Sequence, residues 1–363
     1  MKEIPLLRLY QSVYPDAEVG EFAGWKTVIT FTTLRKEHKA VREKAGIFDI
    51  SHMTRTKISG SSATSDLQKI ITVDVERLKR GRMKYGLILN DDAGIIDDVT
   101  VYKVDEESYL MVSNAATRRR VVEWVEQNSA SDTYVEDFTD SSAFFAVQGP
   151  ESPQQVSQVL GRDFSGLKWF GGDFVSFRGC QMLLTRSGYT GGDGFELVIP
   201  CGGYELYSDA WRMFVSRDVE PCGLACRDAC RLEAGYLLSG VDFDESKTPA
   251  DVGLMWAVNM DKKSFIGKEK LAEILKVKPS SATALLEMVE PGVPRTGYHI
   301  LDKSGRRVGV VTSGGFVPSV GGVAWGFMSS ELCQEGVEVF ILVREIRRRA
   351  RVRGQPFIKM LKP

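Results

Sequence analysis

No stretch of the chain approaches the roughly 18–20 consecutive apolar residues that span a bilayer, so a transmembrane helix is not expected. The opening residues Met1-Lys2-Glu3-Ile4-Pro5 lack the apolar core of a secretion signal, and a cytoplasmic location follows as the expectation. An excess of charge is missing too: 47 Lys and Arg against 48 Asp and Glu leave a net charge of -1. Such a balance gives no global field to gather nucleic acid or anionic lipid. Histidine is scarce, with only His38, His52 and His299. None is paired with a nucleophile and an orienting acid at a recognised spacing, which argues against a hydrolase triad, and His52 reads as a buried, satisfied side chain. There is no His-x-x-x-His and no Cys/His cluster, so no metal is expected.

The six cysteines are too few for a disulfide scaffold in 363 residues and are read as reduced thiols. Cys222, Cys226 and Cys230 recur every four residues, which suits the packed side of a helix better than the paired Cys-x-x-Cys spacing of zinc sites. What the chain does have is ordinary globular composition, 43% apolar and 26% charged. Its length exceeds what one core usually serves, so two or three domains are expected.

Residues 34–46 read as a charged helix stopped by Gly46, followed by a strand over 47–51. Tyr85–Asn90, the turn Asp91-Asp92-Ala93-Gly94 and Ile95–Lys103 read as a hairpin, with a further strand at Ser108–Ser113. A second α+β stretch follows Pro150, and after Pro279 short glycine-punctuated β segments suggest a small all-β unit.

Three places carry candidate chemistry. Asp97 and Asp98 are adjacent acids at the mouth of an apolar strand, and alternation sends them to opposite faces. Either both decorate a hairpin end, or one is solvated while Asp98, sharing a face with Thr100 and Tyr102, enters a pocket. The turn Gly188-Tyr189-Thr190-Gly191-Gly192-Asp193-Gly194-Phe195-Glu196 is dense in glycine and is either a tight hairpin or a place where backbone approaches a ligand. It is neither a Walker loop nor a dinucleotide fingerprint. A helix beginning near Gly223 places Arg227 and Arg231 one turn apart, as an exposed salt-bridged face or as ligand recognition.

Taken together, Phe22-Ala23-Gly24-Trp25, the run from His38 to Met53, Gly94-Ile95-Ile96-Asp97-Asp98 and Ser113-Asn114-Ala115 resemble the aminomethyltransferase family, which includes the T-protein of the glycine cleavage system. The resemblance continues through Gln148-Gly149-Pro150, the glycine turn with Glu196, Gly223–Gly235, Thr248-Pro249, Phe265-Ile266-Gly267-Lys268 and Thr312-Ser313-Gly314, in family order over nearly the whole chain. It departs at Gly192, where relatives carry an acid, and at Ile358, where they carry an aromatic.

The resemblance implies an α+β, three-domain cloverleaf of antiparallel sheets flanked by helices, with a C-terminal β-barrel-like domain, around a central folate pocket. The implied domains are 1–50 with 142–245, 51–141 with 246–278, and 279–363. It implies transfer of an aminomethyl group from a lipoylated H-protein carrier to tetrahydrofolate, giving 5,10-methylenetetrahydrofolate and ammonia, by a monomer apart from its carrier complex. Asp98 matches the functional aspartate and is open to three roles: hydrogen-bonding a folate nitrogen, accepting its proton, or stabilising a developing iminium. Glu196 matches the pterin partner and Arg227 the ligand-binding arginine, with Tyr189, Tyr85, Asn114 and Met53 on the pocket wall.

Two rivals share the fold: a folate-dependent demethylase of a sulfonium donor, and a non-transferase folate-binding protein of iron–sulfur cluster assembly. The latter's Lys-Gly-Cys-x-x-Gly-Gln-Glu hallmark is absent. Arg347, Arg349, Arg351 and Arg353 alternate, so as a strand they form one positive face, either a solvated sheet edge or a surface steering an acidic carrier or a glutamate tail.

Overall fold

In the computed structural model, which describes residues 1–359, the expected hairpin forms from strands Met83–Leu89 and Ile95–Lys103, with Leu87 opposite Asp98 and Tyr85 opposite Thr100. It is one end of a five-stranded antiparallel sheet that continues through Ser108–Ser113, Thr54–Ser59 and Tyr134–Asp137. Alternation along Ile95–Lys103 puts Val99 and Val101 in one core, shared with helices Ala63–Ile70 and Arg118–Gln127, and Tyr102 in another. Burying each such side chain is worth about 1.5–3 kcal/mol, which fixes the register and therefore the face on which Asp98 emerges.

A six-stranded sheet is centred on Ala143–Gln148, buried at every position, and runs in the order Gly172–Phe177, Cys180–Thr185, Gly194–Ile199, Ala143–Gln148, Gly46–Asp49, Glu220–Cys222. The chain leaves this sheet after Asp49, builds the five-stranded one, and returns at Ala143. One face packs on helices Ser152–Leu160 and Gly203–Val215 and on the small N-terminal sheet, around Trp211 and Phe145. The opposite face sets Phe48, Phe144 and Leu183 against Met83, Tyr102 and Leu110 of the five-stranded sheet and against Cys226 and Cys230 of helix Leu224–Glu233. This second face is the seam that carries the site.

The C-terminal strands close into a six-stranded barrel filled by Leu286, Ile300, Val311, Ala324, Ile341 and Val352. Strand Ile346–Arg353 bonds to Glu338–Val343 on one side and Ser281–Met288 on the other, so it is not a sheet edge. Closure removes the reading of its arginines as protection of an edge. Ala350 and Val352 point inward, leaving Arg347, Arg349, Arg351 and Arg353 on the outer face.

Two local expectations fail for physical reasons. Gly46 does not stop the preceding helix, which ends at Glu43; it begins a strand, and a Cβ there would lie 2.6 Å from Cys222 Sγ and 2.8 Å from a Val41 methyl. Close packing, not a left-handed helix end, requires the glycine. Nor are all the cysteines reduced: Cys180 and Cys201 form a disulfide, with Cα atoms 6.1 Å apart. The antiparallel register that pairs Leu183 with Val198, extended three residues outward, brings those two positions opposite each other. Cys222, Cys226 and Cys230 are free and buried at the seam.

Candidate functional site

Asp98 emerges on the seam face of its strand, and Asn114, at the end of the neighbouring strand, donates to Asp98 Oδ1 at 2.7 Å. Burial pushes the Asp98 carboxyl up to about 7; the charge of Asp97 adds to the shift, and hydrogen bonds from Tyr85 and Asn114 oppose it. An acid poised there exchanges a proton near neutral pH. Neither acid is the solvated member that the hairpin mouth suggested. Asp97 is the enclosed one, 0% exposed, and Asp98 keeps partial access to solvent.

The opposite wall comes from the six-stranded sheet. Glu196, on strand Gly194–Ile199, accepts from Ser187 Oγ at 2.5 Å, and its carboxyl is raised by burial against the opposing effects of Ser187 and Arg227. Arg227, on helix Leu224–Glu233, is 9% exposed. It forms no ion pair among the described residues, and its Nη1 has no hydrogen-bond partner. Its guanidinium lies 4.9 Å from the Tyr189 ring centroid, where the π face supplies partial compensation. Glu196 attracts the guanidinium through charge without forming an ion pair; a buried cation that no carboxylate contacts is costly, and a site that retains one is arranged for a ligand. Arg231, one turn on, is a different case: it is ion-paired with Asp242 at 2.8 Å and Asp228 at 2.7 Å. Neither arginine belongs to an exposed face.

Tyr189 donates its hydroxyl to Leu237 O and stacks on Tyr236 at 5.5 Å. The glycines around it serve a protein side chain as much as any ligand. A Cβ on Gly188 or Gly194 would overlap the Gln148 amide, which bonds Ser187 O at 3.0 Å and Thr190 Oγ1 at 2.9 Å. Gly191, at φ 77°, lies against Ala234 and Ile358, so the departure at Ile358 packs directly on the turn.

Tyr85 stacks on Trp256 at 5.1 Å and 15°, and Trp256 is 69% exposed. Met53 is half-buried against the seam core. His52, beside it, is buried but not satisfied: Nδ1 has no partner, and burial with Arg227 and Arg55 nearby lowers the imidazole to about 3. It is neutral at physiological pH.

Trp256, Ser239 and Thr117 were not signalled by sequence, since they sit in a single 3-10 turn, an irregular segment and a helix cap and belong to no periodic pattern. Glu37, Cys222 and Cys226 lie close enough together to hold a cation, but the Glu37 carboxylate is engaged by the amides of Phe31, Thr32 and Gly223 at 2.7–2.9 Å. Burial also holds both thiols protonated, so this donor set is a packing seam.

Residues 11–262 match the GCVT N-terminal domain, and residues 283–359 match the glycine cleavage T-protein C-terminal barrel domain. An aminomethyltransferase of Halothermothrix orenii is 37% identical over 360 residues, covering 99% of this chain and 100% of that protein. One from Staphylococcus carnosus is 37% identical over 359 residues, covering 97% of each. The crystal structure of glycine cleavage system aminomethyltransferase T from Bartonella henselae superposes with a TM-score of 0.92 at 33% identity, covering 99% of this chain and 98% of the other. With both domains matched in order and the same architecture from end to end, the chain belongs to the glycine cleavage T-protein family of aminomethyltransferases.

Proposed function

We propose that this transferase takes an aminomethyl group from a lipoylated H-protein and delivers it to tetrahydrofolate, releasing ammonia, with Asp98 as the reacting carboxylate. The observation that carries the reading is the pairing, across one seam, of a carboxyl poised near 7 with a buried, unpartnered arginine. The Glu196 carboxylate fits the adjacent N–H donors of a pterin edge, and the Arg227 fork fits a carbonyl or carboxylate. Tetrahydrofolate supplies the nucleophilic nitrogens.

The protein's part is then positioning and proton handling. Arg227 and Glu196 orient the ligand, Tyr189 and Tyr85 wall it with aromatic surface, and Asp98 accepts a proton in its ionised form. Asn114 keeps Oδ1 of Asp98 aimed by a 2.7 Å bond. Partial burial of Asp98 limits competition from water.

Among the described residues, no helix is long and apolar enough to cross a membrane. A cytoplasmic location and a monomeric state are part of the proposal. So is the division into 1–50 with 142–245, 51–141 with 246–278, and 279–363, with residues 360–363 outside the described ones.

The test is direct: supply tetrahydrofolate and aminomethylated carrier, and measure ammonia and methylenetetrahydrofolate. Equal yields of both are expected. Absence of both with an authentic carrier, together with a methylated folate from a small sulfonium donor, would shift the reading to a demethylase.

A further inference from the structure

Asp97 has the most demanding environment of any carboxylate near the seam. It is fully enclosed and forms no ion pair among the described residues, yet it accepts four hydrogen bonds. These come from the Asn114 amide N–H at 2.9 Å, Asn114 Nδ2 at 2.9 Å, Thr117 Oγ1 at 2.7 Å and Ser239 Oγ at 2.6 Å. Four neutral donors filling both oxygens are what a buried carboxylate requires if it is to stay charged.

The arrangement has a directional result. Asn114 Nδ2 carries two hydrogens; one goes to Asp97 Oδ1, and the other is thereby turned to Asp98 Oδ1 at 2.7 Å. The amide has only one workable orientation, because its oxygen facing two carboxylates would be repelled by both. Asp97 also binds the Asn114 main chain, so side chain and backbone are fixed together. Ser239, more than a hundred residues away in sequence, ties this unit to the segment whose Leu237 carbonyl holds Tyr189.

We propose that Asp97 is a positioning residue for the transfer reaction, gripping Asn114 so that its amide is delivered to Asp98 and presenting a fixed negative charge behind the reacting carboxylate. The titratable groups facing Asp98 are Asp97 on its own strand, Tyr85 on the paired strand and Tyr189 on the glycine turn. Burial raises the Asp97 carboxyl while its bonds from Ser239, Asn114 and Thr117 pull it back down, and as the one carboxyl among these groups it sets the electrostatic background of Asp98. The proposal rests on the activity proposed above.

The test is a double-mutant cycle of Asp97→Asn and Asn114→Ala, with kcat and KM measured against pH using tetrahydrofolate and aminomethylated carrier. On the alkaline plateau, Asp97→Asn should lower kcat by about tenfold to a hundredfold while changing the folate KM by less than about threefold. In the Asn114→Ala background the same substitution should cost less than about twofold, because its route of action is already broken. The acid limb of kcat should move to lower pH in Asp97→Asn, since loss of the neighbouring charge eases ionisation of Asp98.

Full additivity of the two substitutions, or an unmoved acid limb, overturns the proposal. If Asp97→Asn fails to fold, Ser239→Ala removes one of the four donors; a severalfold loss of kcat at constant KM supports the role, and unchanged kcat removes it. A wild-type protein with no turnover would withdraw the activity reading, whereas equal turnover in wild type and Asp97→Asn would remove Asp97 alone.

Discussion

At Asp98 stability and function pull in opposite directions. Its folded-state carboxyl is raised to about 7, chiefly by burial and then by Asp97, so the folded protein holds this proton more tightly than the unfolded chain does. The stability contributed by the protonated form is therefore present below about pH 4 and is lost as pH rises through 7. Asp98→Asn, which keeps the Asn114 contact while removing the charge, should melt a few degrees higher than wild type at pH 8 and no higher at pH 4. The same variant should bind tetrahydrofolate yet lose about a hundredfold or more in turnover. Calorimetry across pH and single-turnover assays check the two halves; near-normal transfer would take Asp98 out of the mechanism. Arg227 presents the parallel case. Arg227→Met removes a buried cation that forms no ion pair among the described residues, so the ligand-free protein should be as stable as wild type or more so, while folate affinity falls about tenfold or more. A variant that lost stability and kept its affinity would make Arg227 a structural residue.

Elements hold these side chains through a few charged hubs, and the hub most exposed to test is Glu233 at the end of its helix. Burial raises its carboxyl, but bonds from His38, Ser319 and Arg42 outweigh that and bring it down to about 2. Arg42 also bonds Thr190 O at 2.8 Å, so one glutamate joins two helices, the glycine turn and the barrel. With the folded-state value depressed, its contribution is present above about pH 4.5 and disappears as pH falls toward 2. Glu233→Gln should destabilise by about 3 kcal/mol at pH 7, and the difference should shrink toward pH 2 in urea titrations. Equal stability of the two proteins at pH 7 would count against the hub. At this scale the sequence was readable wherever one period dominated. The hairpin around Asp91–Gly94 and the helix after Gly223 formed with small shifts of boundary. What escaped were contacts between segments far apart in sequence: Gln148 inside the glycine turn, Ser239 on Asp97, and Cys222 against Gly46. Periodicity reports which face is buried and carries nothing about the partner that buries it.

The whole molecule shows the same limit most clearly in the barrel's arginine face. Alternation was legible from Arg347 to Arg353, but whether the strand lay at an edge depended on closure, which pairs it on both sides. Once the edge reading is gone, the face needs another account. Part of it is internal, because Glu338 lies 3.9 Å from Arg349 and 3.8 Å from Arg351, and Glu287 lies 3.3 Å from Arg353. Arg347 packs on Phe340 at 3.8 Å and has no acidic partner among the described residues, and Arg351 is exposed despite Glu338. Arg347 and Arg351 are therefore exposed charges that side-chain ion pairs neutralise at most in part, which favours steering of an acidic carrier surface over simple neutralisation. Steering by exposed charges acts mainly on encounter and is screened by salt. Replacing both Arg347 and Arg351 with glutamate should raise the apparent KM for the carrier by about threefold to tenfold at low ionic strength and flatten its salt dependence. The folate KM and the plateau kcat should stay near wild type, since neither side chain belongs to the seam. An unchanged carrier KM and salt slope would return this face to a role confined to the barrel's own stability.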